Sequence, residues 1–140
     1  MDSPSPSTRD LARRLLAAEA ASQSAADPRV HEAVRVSEKL RISLTRFAGA
    51  DGYTAILRRA LALARAEVPA LDGVTQKADG SLEGQAPLTA DGGDAAAALI
   101  AHLLALLVTF IGEPITARLL RDAWPGEPLG EYHRRIEGGP

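Results

Sequence analysis

Residues 95–111 read AAAALIAHLLALLVTFI, seventeen positions without a formal charge. The only polar side chains among them are His102 and Thr109. A helix that is apolar on every side must leave water, either inside a protein core or inside a membrane. This run therefore governs what the chain can fold into. Asp94 precedes it, and Gly112, Glu113 and Pro114 close it.

A bilayer-spanning helix needs about 20 apolar residues, so this run lies at the lower edge. Its first turn, Ala95–Ala98, is only weakly hydrophobic, His102 would fall near mid-membrane, and no cluster of Lys or Arg abuts either end. Four amphipathic segments elsewhere each offer an apolar face that needs a partner. The expectation is a soluble, all-α bundle of five helices wrapped around a central helix at about 94–111.

The flanking segments follow local rules. Ser7 or Thr8 is expected to cap a first helix running to about Ala25. Leu11, Leu15 and Ala18 form its apolar line, with Arg9, Arg13 and Glu19 elsewhere. Asp27-Pro28 is a start signal for a second helix ending near Ala48. Its seam would be Val30, Ala33, Val34, Ser37, Leu40, Leu44 and Phe47, and Gly49 stops it. Asp51 is expected to cap a third helix reaching Val68, with Tyr53, Ile56, Leu57, Ala60, Leu61 and Ala64 inward. Asp79-Gly80 suits a type I′ turn, which predicts a short hairpin at about 74–83 pairing Val74–Lys77 with Ser81–Glu83. Pro114 lacks an amide donor, so the central helix should kink or restart there. A last segment, Ile115–Trp124, turns Ile115, Leu119, Leu120 and Ala123 inward. The domain plan is a disordered tail over 1–7, one helical domain over 8–126, and a mobile C-terminal tail over 127–140.

Composition narrows the chemistry. There is no cysteine, which excludes disulfides and thiolate metal sites and suits a cytoplasmic setting. The N-terminus, MDSPSPS, lacks the pattern of a secretory signal. A net charge of −2 gives no general attraction to nucleic acid. The charge is unevenly spread. Between Asp27 and Ala66 eight bases face four acids, whereas from Val68 onward acids outnumber bases two to one. Such asymmetry can orient self-association or recruit an acidic partner.

No P-loop, HExxH, GxSxG or EF-hand spacing occurs. A helix-turn-helix alignment of Ser43–Leu61 puts Asp51 and Arg58 where apolar packing residues belong. Gly92-Gly93 before the central helix could present amides to an anion, but Asp91 and Asp94 flank it. His102 reads as a buried, hydrogen-bonded imidazole, since neither His31 nor His133 lies at a ligand spacing from it. Glu113 is the acid best placed for partial burial. Catalysis by His102 and Glu113 would need both to face one cavity. Ala97, Ala101, Ala105 and Thr109 form a small-residue stripe that lets another helix approach closely.

Four stretches carry a resemblance: SEKLRISL at 37–44, GYTAILRRALALARAEVPAL at 52–71, ADGSLEG at 78–84 and HLLALLVTFIGEPITARLLRDAWPG at 102–126. They resemble a group of small uncharacterised bacterial proteins. The resemblance implies that helices, hairpin and the helix-kink-helix unit travel together as one module. It transfers no activity, and Pro114 departs from the helix-permitting residue expected there. The functional expectation is a non-enzymatic protein-interaction or oligomerisation module without cofactor or metal, its partner a protein and first of all a second copy. The alternative is an apolar-ligand, lipid-binding or membrane-inserting helical protein.

Overall fold

The computed structural model describes residues 4–21, 32–77, 82–83 and 94–124. Asp27-Pro28, Asp79-Gly80, the Asp91–Gly93 approach and the expected C-terminal tail lie outside them. Five α-helices appear among the described residues: α1 (Pro6–Ala21), α2 (Glu32–Ala48), α3 (Ala50–Glu67), α4 (Asp94–Ile111) and α5 (Glu113–Ala123). The fold is all-α.

The central helix is α4. Ala95–Leu104, Leu106 and Leu107 are buried. It packs chiefly on α3 and α1, with α5 and α2 completing its cover. Its neighbours contribute Leu11 and Leu15 from α1, Leu40 and Leu44 from α2, Leu57 and Leu61 from α3, and Leu119 and Leu120 from α5. Burying each such side chain contributes about 1.5–3 kcal/mol. The run that was too apolar for water is thus hidden largely by its own chain.

Helix starts differ from the local reading. α1 begins at Pro6, earlier than expected, because Ser5 caps it. The Thr8 amide donates to Ser5 Oγ at 3.2 Å, and Pro6 occupies the first position, where a missing amide is harmless. Pro4 is already buried, so helical structure enters the stretch expected to be a tail. α3 begins without a side-chain cap. Gly49, not Asp51, holds the N-cap position.

Two corners of the fold share one device. Gly49 joins α2 to α3 at φ +87°, ψ +160°, and Gly112 joins α4 to α5 at φ +89°, ψ +159°. This backbone region is essentially confined to glycine. A Cβ would find open space at Gly49 and only Pro114 Cδ at 3.9 Å at Gly112, so the demand is torsional rather than steric. At each corner the glycine amide closes the preceding helix, at 3.0 Å to Thr45 O and 3.0 Å to Val108 O. The expected restart at Pro114 therefore falls at Gly112. Pro114 sits in the first turn of α5, where its missing donor breaks no bond.

Between α3 and α4 the chain forms a 3-10 turn, Pro69–Gly73, which the periodicity did not indicate. β1 (Thr75–Gln76) then pairs antiparallel with β2 (Leu82–Glu83), in the register Thr75 to Glu83 and Gln76 to Leu82. The ladder is two residues long on each side. That is shorter than the strands expected, and the turn between them lies outside the described residues.

The α2 seam keeps Ser37, Leu40 and Leu44 of the expected set, gains Val36 and loses Phe47, while the side chains of Val30, Ala33 and Val34 lie outside the described residues. Val36, Ser37, Leu40 and Leu44 are buried, whereas Phe47 is 55% exposed. Val36, Leu40 and Leu44 run at four-residue spacing, and Phe47, eleven residues after Val36 and seven after Leu40, shares their face but falls in the last turn before Gly49.

Candidate functional site

The polar groups that the fold draws together form two joints, each centred on a carboxylate. The first is Glu67, the last residue of α3. Arg9 of α1 grips it with two bonds, Nη1 to Oε2 at 2.8 Å and Nη2 to Oε1 at 3.0 Å. His102, at mid-helix in α4 and 5% exposed, meets Glu67 Oε1 through Nε2 at 2.9 Å. The bonds from Arg9 hold the Glu67 carboxyl well below the carboxylate range, at about 2, and the His102 bond adds to this. An ionised carboxylate only accepts hydrogen bonds. Nε2 of His102 therefore carries the bridging proton.

Beside this joint runs a groove of about 560 Å³ lined by Arg9, Arg13, Glu67, Val68, Asp94, Ala97 and Ala98. Arg13 and Asp94 pair across it at 3.2 Å, both well exposed. Two guanidinium groups face two carboxylates there, so the charges are already mutually satisfied.

The second joint is Glu19, near the end of α1 and only 3% exposed. Lys39 Nζ lies 2.5 Å from Oε2, Arg35 Nε donates to Oε1 at 3.3 Å, and Trp124 Nε1 donates to Oε2 at 2.9 Å. Arg35 also reaches the Glu19 backbone carbonyl at 2.9 Å. Lys39 Nζ stands 5.3 Å from the centre of the Trp124 ring, a cation–π distance. Burial pushes the Glu19 carboxyl up, but the bonds from Lys39, Trp124 and Arg35 together outweigh it, and the net shift is downward. Glu19 was expected away from the apolar line of α1. It lies on it, four residues after Leu15. The signal was present as an acid in an i, i+4, i+8 series with Leu11 and Leu15.

The small-residue stripe divides along its length. Ala97 and Ala101 are buried, and Ala97 lies beneath the groove between α1 and α3. This end of the stripe is occupied by the same chain. Ala105 is half-buried, and Thr109 is exposed with its hydroxyl donating to Ala105 O at 3.0 Å. Glu113 opens α5 as a half-buried residue, in the first turn where a negative charge suits the helix dipole. His102 and Glu113 are not brought together. His102 faces Glu67, and Glu113 is eleven residues further on. Among the described residues no group of three or more His, Asp or Glu side chains could hold a metal.

The end of α4 behaves unlike its beginning. Phe110 is 60% exposed, while Val108 and Ile111 are only half-buried. Beyond Gly112, Pro114 is exposed and Ile115 is half-buried against the core. Comparison with family models, with curated protein sequences and with solved structures found no match.

Proposed function

We propose that this chain is a non-enzymatic interaction module that self-associates through the uncovered end of its central helix. One observation carries the reading: the most apolar helix of the fold ends in Phe110, 60% exposed, beside exposed Thr109. A large aromatic ring left in water at the end of the most apolar helix offers a second copy an apolar contact point. A second copy could meet this helix end with its own, the self-complementary arrangement of a two-fold dimer. The small-residue stripe supports the reading at Ala105 and Thr109 only, since Ala97 and Ala101 are already covered.

The test is sedimentation equilibrium from micromolar to millimolar protein. A reversible dimer is expected, and Phe110→Ser should weaken it by about tenfold or more, because each buried Phe contributes about 1.5–3 kcal/mol. The exposure of Phe110 means that the substitution should leave the thermal midpoint nearly unchanged. A single monomeric species over the whole range overturns the proposal. A lipid surface is the second reading, because α4 is long and apolar enough to cross a membrane, although 67% of it is buried within the fold. Flotation with liposomes separates the two. Lipid association lost in Phe110→Ser, with no dimer in solution, would favour lipid.

A further inference from the structure

The groove between α3 and β1 has a different character from the one beside Glu67. It measures about 340 Å³ and is lined by Thr54, Arg58, Leu61 and Arg65 of α3 and by Thr75, Gln76 and Lys77. Three of these side chains are cationic, and among the described lining residues none is an acid. Arg58 and Lys77 are exposed, and no ion pair links either to a described residue. Arg65 is held in place, donating to the carbonyls of Leu71 at 3.3 Å and Val74 at 2.5 Å. Asp72 stands 4.0 Å from Arg65 but is 80% exposed and outside the groove. Gln76 donates to Thr54 O at 3.1 Å, which ties the strand to the helix and fixes the groove walls.

We propose that this groove docks an acidic peptide segment of a protein partner. The proposal rests on the interaction-module reading and names the chemistry of a partner for it. Charge complementarity selects the occupant. Thr54, Arg58, Leu61 and Arg65 recur on one face of α3, and Arg58 and Arg65, two turns apart, are separated by ~10.5 Å along the axis. With Lys77 on the second wall the lining carries three positive charges, more than one carboxylate or phosphate neutralises. An extended peptide rises ~3.3 Å per residue, so acids two to four residues apart cover the distance. Thr75 and Gln76 add neutral hydrogen-bonding groups along the second wall, and Leu61 forms an apolar floor. Single-stranded nucleic acid is the poorer fit. It would require aromatic stacking platforms, none of the described lining residues is aromatic, and the chain as a whole carries a charge of −2.

The experiment uses the full chain and a fluorescein-labelled octaglutamate, read by anisotropy, with labelled oligothymidylate as the competing probe. Octaglutamate should bind at low ionic strength and weaken as salt shortens the screening length. The double variant Arg58→Glu/Lys77→Glu should weaken binding by about tenfold or more at unchanged circular dichroism, while Arg13→Glu, outside the groove, should have no effect. No octaglutamate binding, binding equal in the double variant, or tighter binding of oligothymidylate would each overturn the proposal. Self-association measured on the same samples reports on the Phe110 surface separately. A dimer that fails to bind octaglutamate sinks the groove alone, and a monomer that binds it sinks the dimer alone.

Discussion

Glu19 and Glu67 do the same task in different amounts of water. Each is a carboxylate that ties together three segments of the chain. Glu19 joins α1 to α2 and to Trp124, and Glu67 joins α3 to α1 and α4. Glu19 is 3% exposed, whereas the Glu67 side chain is 35% exposed at the rim of a groove. In a dry setting, removing one partner strands the others without hydration. At a wet rim, water replaces a lost bond, and the net contribution of the pair shrinks toward that of a surface salt bridge. Geometry alone would rank the two alike, and solvent access separates them.

The largest expected effect tests the dry side of this contrast. Glu19→Ala removes the carboxylate that the Trp124 indole, Arg35 Nε and Lys39 share and should cost ~3 kcal/mol in a urea melt. A loss below ~1 kcal/mol would show that water enters the Glu19 joint and that the two sites are equivalent.

The wet side is sharpened by pH. The Glu67 carboxyl is at about 2 in the folded chain against an ordinary value of 4.5, so its folded-state affinity for a proton is depressed. Its stabilisation is fully present above pH 4.5 and is lost as pH falls from there toward 2. Solvent screening at this exposure reduces the contribution to ~1 kcal/mol. Glu67→Gln should cost about that much at neutral pH and should flatten the acid limb of the stability curve. An unchanged slope in Glu67→Gln would assign that limb to other carboxylates, Glu19 first among them, whose shift has the same sign.

The smallest effect sets the baseline. Arg13 and Asp94 pair at side-chain exposures of 58% and 64%. Arg13→Ala should change stability by less than ~0.5 kcal/mol. A cost equal to that of Glu67→Gln would mean that the His102 contact adds nothing to the Glu67 joint.

Much of the architecture was legible in the order of residues. The central helix runs over Asp94–Ile111, as its composition required, and Gly49 ends α2. The inward face of α3 falls on Tyr53, Leu57, Ala60, Leu61 and Ala64, with Ile56 half-buried. Buried Tyr53 also finds a partner for its hydroxyl, which donates to Ser37 O at 3.0 Å. The site was far less legible. Trp124 bonds Glu19 across 105 positions, and Glu67 meets His102 across 35. No spacing rule reaches that far. Phe47 illustrates the same limit on a shorter scale. It fits a helical seam on paper, on the face of Val36 and Leu40, yet in the last turn of α2 it stays 55% exposed.

Sequence by itself determined where helices form, where two of them break, and which one lies inside. Those outcomes depend on torsional preference, capping and apolar periodicity, which act over a few residues. Tertiary structure alone decided which carboxylates lost their water, which alanines were covered, and which phenylalanines stayed exposed. Burial is a property of what other segments bring to a position. The same glutamate is solvated on an isolated helix and becomes a joint only when Arg35, Lys39 and Trp124 arrive around it.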